Sequence, residues 1–151
     1  MSRSCAKSLF VLSLVFAAHA QPVSAQKLDV KPGLWEVSMA QPKSVTQVCY
    51  TADVLSGGIT QFTAPPGLDC KSDVVQETPR FVVTRTVCTG AMSMEGETRM
   101  DIASREAMTM QSTAVMSMGG SKQTIKASAT YKWLGADCGN VKPFNPKDQI
   151  R

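Results

Sequence analysis

The sequence predicts an all-β protein, an antiparallel meander of about seven strands curled into an open or closed small barrel and held by two disulfides. Apolar and polar residues alternate over three runs between residues 91 and 134, as the two faces of a half-buried sheet require. Turn residues containing Gly or Pro separate the runs, which is typical of hairpins. No long stretch has the 3.6-residue apolar spacing of an amphipathic helix.

The chain begins with the pattern of an export signal. Arg3 and Lys7 make a positive start, and residues 9–18 form an apolar run that is too short for a stable transmembrane helix. Small-residue sites predict cleavage after Ala20 or after Ala25, and we prefer the second. The mature protein is therefore expected to be exported, without a transmembrane segment.

Removing residues 1–25 as the signal peptide changes the composition. The basic residues fall from 16 to 14 against 12 acidic ones, and this small positive balance is too weak to indicate nucleic-acid binding. The only histidine, His19, is lost as well. Residues 26–138 are expected to form a single β domain, followed by a poorly ordered tail over residues 139–151.

Two strands and one helical turn open the predicted domain. Gly33–Met39 has the alternation of a strand, with Trp35 on its apolar side, and residues 45–50 form the second strand. Residues 51–55 predict a single helical turn, which the glycine pair beginning at Gly57 would end.

The next hairpin contains two of the cysteines. Residues 70–77 and 81–88 alternate as strands on either side of Thr78-Pro79-Arg80, which predicts a three-residue loop. The resulting register sets three pairs directly opposite each other: Cys70 with Cys88, Asp73 with Arg85, and Val75 with Val83.

The four cysteines of the mature chain allow three disulfide pairings. Because the hairpin register brings Cys70 beside Cys88, within the reach of a disulfide, we predict that bridge. Cys49 and Cys138 then remain to close a loop of about ninety residues. Both bridges would persist in the oxidising compartment that an exported protein reaches.

Residues 91–134 form the centre of the predicted fold, with strands at residues 91–103, Ala107–Met118 and residues 122–134. Gly119-Gly120 predicts a two-residue turn, because both central residues need positive φ, and residues 104–106 predict a three-residue loop. Together these turns keep the apolar sets of the three strands on one face, whereas a one-residue slip would expose one set. The predicted pairs are Met118 with Ser121, Met116 with Gln123, Ala114 with Ile125, Met108 with Tyr131, Ile102 with Met108, Met100 with Met110, and Met94 with Met116.

The order of these motifs resembles a known family. Lys31-Pro-Gly-Leu-Trp-Glu is followed by a strand ending at Cys49, then by Cys70, Cys88-Thr-Gly, the Met-x-Met strands and Trp133-Leu-Gly-Ala-Asp-Cys138. Over roughly residues 31–138 this resembles the domain-of-unknown-function 3617 family, exported proteins of mostly Gram-negative bacteria. The resemblance implies a periplasmic address, disulfides and this fold, and it supplies no catalytic residues. The chain departs from the family pattern at residues 103–106, where members often have a Gly-Asp turn and a tyrosine.

The composition excludes several kinds of chemistry. Without histidine there is no Ser-His-Asp triad, Cys-His pair or histidine-bound metal, and paired cysteines exclude thiolate chemistry. Glu95, Glu97 and Asp101 share the outer side of one strand, and paired carboxylates serve glycoside hydrolysis. A solvated sheet surface with Arg99 among the acids explains them better, because such catalysis needs a raised pKa in a cleft. We therefore expect no enzyme, no catalytic residues and no cofactor, with a hydrolase as the least favoured alternative.

Six methionines are the candidate binding residues. In the predicted register they face one way on adjacent strands, at Met92, Met94, Met108, Met110, Met116 and Met118. Flexible thioethers fill irregular apolar surfaces, so these residues predict a packed core or the lining of an apolar pocket. The alternative is Cu(I) binding, because soft thioethers select that ion, although no histidine or free cysteine strengthens the set.

Trp35, Tyr131 and Trp133 lie on the same predicted face, as core residues or as the aromatic lining of a ligand site. The sequence therefore favours a non-enzymatic exported module that binds a small apolar ligand or a partner protein of the cell envelope.

Overall fold

The computed structural model describes residues 29–56 and 67–145. Within these residues, seven antiparallel strands form one sheet, and a short helix follows the second strand. The elements are β1 (Gly33–Met39), β2 (Ser44–Tyr50), α1 (Ala52–Ser56), β3 (Leu68–Thr78), β4 (Phe81–Gly90), β5 (Ser93–Ser104), β6 (Ala107–Met118) and β7 (Ser121–Gly135).

The sheet is open, with β2 at one edge and β3 at the other. Its spatial order is β2-β1-β7-β6-β5-β4-β3. Strands β3 to β7 follow one another as hairpins, whereas β1 inserts between β2 and β7. The predicted all-β antiparallel fold is confirmed in its open form. The predicted signal peptide, residues 1–25, and the glycine pair at 57–58 lie outside the described residues.

Both predicted disulfides are confirmed. Cys70 and Cys88 are directly paired residues of the β3–β4 hairpin. Cys49, near the end of β2, is joined to Cys138, which follows β7, and their Cα atoms are 5.6 Å apart. One bridge therefore fastens the edge strand β3 to its neighbour, and the other joins the opposite edge to the end of the domain.

The central hairpins have the predicted registers. Gly119 and Gly120 have φ angles of 57° and 82°, as a two-residue hairpin turn requires. All seven residue pairs predicted across β5, β6 and β7 are present. Since side chains alternate along each strand, the methionines of β5 and β6 lie on the same face as Tyr131 and Trp133 of β7.

Two other hairpin turns differ from the prediction in the same way. Each is a two-residue turn, Pro79-Arg80 and Arg105-Glu106, in place of a three-residue loop. A bulge in β3 and another in β5 absorb the extra residue and restore the predicted register farther along each hairpin. In β3 the bulge leaves Val75 without a partner, and Val83 pairs with Gln76, so the predicted Val75–Val83 pair is wrong.

A hydroxyl group at the start of each of these turns explains the shorter loop. The backbone N–H of Arg80 donates to Thr78 Oγ1 at 3.2 Å, and that of Glu106 donates to Ser104 Oγ at 3.1 Å. Serine and threonine close turns in this way by bonding the backbone two residues ahead. The local hydrogen bond fixes the tight turn, and the bulge then accommodates the strand register.

The buried core lies against one end of the sheet. We call the face that contains Trp35 and Met108 the inner face and the opposite one the outer face; both of these side chains are fully buried. The core cluster consists of Val30, Trp35, Tyr50, Leu55, Val82, Met100 and Met108. Leu55 comes from α1, whose first turn is capped by Thr51 Oγ1 accepting from the N–H of Val54 at 3.3 Å.

The segment after Cys138 also contacts this end of the sheet. The N–H of Phe144 donates to the carbonyl oxygen of Cys49 at 2.7 Å, and its ring meets that of Tyr50 edge-on at 5.3 Å between centroids. Phe144 belongs to the segment predicted to be poorly ordered, of which residues 146–151 lie outside the described part of the chain.

The residues just before β1 are fastened to the end of β7. The indole of Trp35 donates to the carbonyl oxygen of Lys31 at 3.0 Å, and the indole of Trp133 donates to that of Pro32 at 3.1 Å. The ammonium group of Lys31 lies 4.5 Å from the centre of the Trp133 ring. Gly33 then enters β1 with a φ of 130°. Both tryptophan N–H groups are thus satisfied by one short segment.

Two methionines of β6 provide a direct test of where the core ends. Met108 is 1% exposed and Met118 is 65% exposed. Met108→Ala is expected to lower the free energy of unfolding by about 2–5 kcal/mol, because it leaves a cavity in the core. Met118→Ala is expected to change it by less than about 0.5 kcal/mol. Urea unfolding of both variants measures the difference, and equal effects would contradict this placement of the core.

Candidate functional site

The inner face continues well beyond the buried core. On β5 and β6 two pairs of methionines lie directly opposite each other, Met100 with Met110 and Met94 with Met116. The two pairs are six positions apart along each strand, a distance of about 20 Å. Met100 is part of the core, whereas Met94 and Met116 are only half-buried.

Small residues fill the interval between these methionine pairs. Thr98 pairs with Ser112, and Gly96 pairs with Ala114, on the inner face of the same two strands. All four are half-buried. Because these four side chains are shorter than methionine, the inner face is lower here than at the methionine pair on either side. We call this lower part of the inner face the trough.

The floor of the trough is tightly built. Thr98 Oγ1 and Ser112 Oγ are hydrogen-bonded at 2.9 Å. A β-carbon on Gly96 would lie only 2.8 Å from that of Ala114. Glycine at position 96 therefore leaves room for the Ala114 side chain on the neighbouring strand. The floor therefore has one polar point, at the hydroxyl pair, and is otherwise apolar.

Neighbouring strands extend the inner face on both sides of the trough. Ile125 of β7 pairs with Ala114, and Thr84 of β4 pairs with Thr98. Ile125 is 41% exposed, whereas Thr84 is buried and donates its hydroxyl to the Thr98 carbonyl oxygen at 3.5 Å. The accessible apolar surface thus lies towards β6 and β7.

The six predicted methionines do not form one cluster. Met108 is in the core, and Met110 packs against the core at the end of the trough that is nearer to it. The other four lie at the far end of β5 and β6 or, for Met92, in the bend just before β5, and we call them the rim methionines: Met92, Met94, Met116 and Met118. The distance along the strands keeps these two groups apart.

The three predicted aromatic residues lie at the core end of the inner face. Trp35 pairs with Trp133 across β1 and β7, and Tyr131 pairs with Met108. The Tyr131 hydroxyl donates to the sulfur of Met110 at 3.7 Å. Burial raises the pKa of Tyr131, and burial together with Tyr131 raises that of Tyr50. Both phenols are therefore protonated at neutral pH, and Tyr131 holds one end of the trough in place.

The predicted acidic residues Glu95, Glu97 and Asp101 lie on the outer face of β5, and Glu95 and Asp101 form ion pairs there. Arg85 pairs with Glu95, and the Arg99 guanidinium donates to both oxygens of Asp101 at 2.6–3.0 Å. The hydrogen bonds to Asp101 hold the pKa of Arg99 above its ordinary value. Arg99 also stacks on Phe81, 3.9 Å from the ring centre. These contacts are typical of a solvated sheet surface.

A second depression, of about 390 Å³, crosses β1, β7 and β6. Its lining consists of Ser38, Met39, Ala40, Thr109, Met110, Gln111, Ser128, Ala129 and Thr130. Strand alternation places most of these side chains on the outer face, where they are small or uncharged and polar. The sequence analysis did not identify this surface, because its residues resemble those of any solvated strand.

Groups of ionisable ligands do not converge in the described part of the chain. Residues 29–56 and 67–145 contain no group of three or more His, Cys, Asp or Glu side chains arranged to hold a metal ion. The chemistry available at the trough is therefore that of thioethers, methyl groups and one hydroxyl pair.

A protein-family model described as "Protein of unknown function (DUF3617)" matches residues 30–138 of the chain. The chain belongs to this family. The match covers every strand of the sheet, both disulfides and the Lys31–Gly33 segment that is fastened to Trp133. No curated protein and no solved structure matches the chain.

For this family member, two features bear on its surroundings. Two disulfides indicate an oxidising environment of the kind that exported proteins meet. Across the described segments, none of the helices has the length and apolarity needed to cross a membrane.

Sequence reasoning identified the methionines but missed the trough between them. Its signal was present in the same alternation: the inner positions of β5 and β6 run from methionine through two small residues to methionine again. Gly96 and Thr98 lie opposite Ala114 and Ser112 only in the correct register. The depression is thus a property of two strands together.

Proposed function

We propose that this protein is a non-enzymatic, exported binding module that holds a small apolar ligand in the trough. The observation that supports this most directly is the arrangement of four small residues between two pairs of methionines, on an apolar sheet face beyond the core. Apolar surface with one polar point is the usual composition of a small-molecule site.

The dimensions of the trough favour an elongated ligand. Its ends are about 20 Å apart along β5 and β6. Methionine side chains adapt to ligands of differing shape because they are unbranched and polarizable. The Thr98–Ser112 hydroxyl pair offers one point at which a polar group of the ligand would be recognised.

An envelope protein is the other partner that the apolar face would suit. A protein partner would need a broad, flat contact of about 800 Å² on each side. The trough spans only about 20 Å between its two methionine pairs, much less than such a contact needs, so a small ligand fits it better. The predicted signal peptide at residues 1–25 and the two disulfides support a periplasmic location for either role.

Filling the trough tests the proposal. Ala114→Leu places a branched side chain above Gly96, which has no side chain of its own. We expect the mature protein to bind the uncharged dye N-phenyl-1-naphthylamine saturably, and Ala114→Leu to weaken that binding by about tenfold or more. Fluorescence titration measures both.

The neighbouring residue on the same strand supplies the matched control. Thr113 is exposed on the outer face, so Thr113→Leu adds the same side chain on the opposite side of β6. We expect it to bind the dye within about twofold of the original protein. Dye binding that is unsaturable, or that is equal in the two leucine variants, would contradict a ligand site in the trough.

A further inference from the structure

Methionines of β5 and β6 occupy two different environments. Met100 and Met108 are 5% and 1% exposed and belong to the core cluster. At the other end of the same strands, Met94 and Met116 are half-buried and Met118 is 65% exposed. Packing accounts for the first group, since a buried thioether contributes contacts that an exposed one does not. Core packing does not account for the thioethers of Met94, Met116 and Met118, which lie together on the sheet beyond the core.

Strand geometry brings the rim methionines within reach of one another. Met94 and Met116 are direct cross-strand partners, and such partners have β-carbons about 4.5–5.5 Å apart. Met118 follows Met116 by two positions, so it lies on the same face and diagonal to Met94. Diagonal neighbours in a sheet are about 7–8 Å apart, a gap that long side chains close.

Met92 adds a fourth thioether to this end. It lies two positions before Met94, in the bend that leads into β5, and it is half-buried. Three thioether side chains, those of Met94, Met116 and Met118, therefore stand on one face of two hydrogen-bonded strands, and Met92 precedes Met94 by two positions. Side-chain flexibility lets the sulfur atoms move towards a common centre without a change in the sheet.

From this placement we infer that the rim methionines form a binding site for Cu(I). Thioethers are soft, neutral ligands that select Cu(I) over hard or borderline cations. Carboxylates do not compete within the site, because Glu95 and its partner Arg85 lie on the outer face of the sheet. The exposure of Met118 gives the ion a route in and out from solvent.

This site is separate in its chemistry from apolar-ligand binding in the trough. Met94 and Met116 close one end of the trough, but leucine would close it almost as well, since Leu and Met have similar volumes. Replacing both by leucine removes the sulfur atoms and keeps the apolar wall. The Cu(I) inference therefore stands or falls independently of the proposed ligand.

Silver(I), which resembles Cu(I) in softness and needs no reductant, is the first probe. With methionine methyl groups labelled with ¹³C in the mature, disulfide-bonded protein, one equivalent of Ag(I) is expected to shift the methyl signals of Met94, Met116 and Met118. The signals of Met39, Met100 and Met108 are expected to stay in place. Anaerobic competition against a Cu(I) chelator then measures the affinity for Cu(I) itself.

Two variants give the decisive comparison. Met94→Leu/Met116→Leu is expected to weaken Cu(I) and Ag(I) binding by about tenfold or more. Met39→Leu, which removes a half-buried thioether on β1, is expected to leave metal binding unchanged. Metal binding that survives the double substitution, or methyl shifts spread over all methionines, would overturn the inference.

Discussion

Gly33→Ala is expected to destabilise the protein by about 3–5 kcal/mol. Gly33 has a φ of 130°, a conformation that residues with a β-carbon rarely adopt. An added β-carbon would also overlap the carbonyl oxygen of Gly135 and lie 2.9 Å from the Cα of Ala136. Both contacts are with backbone, so no side-chain movement relieves them. Denaturant unfolding of the mature protein measures the loss.

Gly135 provides the matched control, because it pairs with Leu34 directly beside Gly33 in the sheet. A β-carbon on Gly135 meets no atom within 4 Å. Gly135→Ala is expected to change the free energy of unfolding by less than about 0.5 kcal/mol. If the two alanine variants unfold at the same denaturant concentration, close backbone approach at Gly33 is not what requires glycine there.

Removing the Cys49–Cys138 bridge is expected to cost more than removing the Cys70–Cys88 bridge. The cysteines are 89 positions apart in the first and 18 in the second. Loop-closure entropy assigns about 4–5 kcal/mol to the longer loop and about 3 kcal/mol to the shorter one. Cys49→Ala/Cys138→Ala should therefore show the larger drop in unfolding free energy.

The two double variants are controls for each other. Both remove two sulfur atoms, and both bridges include a cysteine that is at least 96% buried, Cys49 or Cys88. The packing losses are thus comparable, and the difference between the two losses of unfolding free energy measures the effect of loop length. Urea titration under non-reducing conditions gives both values, and an equal or larger loss in the Cys70→Ala/Cys88→Ala variant would contradict the entropic account.

Local signals in the sequence were sufficient for the hairpins. Gly119-Gly120 specified its turn by conformation, and apolar alternation on both sides specified the register, so two independent constraints agreed. The predicted pairing of Cys70 with Cys88 is correct although the predicted loop is one residue too long, because the β3 bulge compensates for the shorter turn. The bulge itself was not predictable from alternation alone, since Val75 is as apolar as its neighbour Val74.

Contacts between distant parts of the chain were not accessible in this way. The insertion of β1 between β2 and β7 has no turn signal, because its pairing with β7 joins Trp35 to Trp133, far away in sequence. The candidate site was likewise predictable only in part. The methionines were visible as a pattern, whereas the trough depends on Gly96 lying opposite Ala114 and on the point at which the core ends.

The Cys49–Cys138 bridge closes a covalent ring that contains five whole strands, β3 to β7, and the smaller Cys70–Cys88 ring lies inside it. A protease that cuts one peptide bond within the larger ring opens the circle without releasing a fragment. The nicked molecule keeps both pieces linked, and the paired strands hold them in register. A protein built in this way stays in one covalent piece after a single cleavage inside the ring.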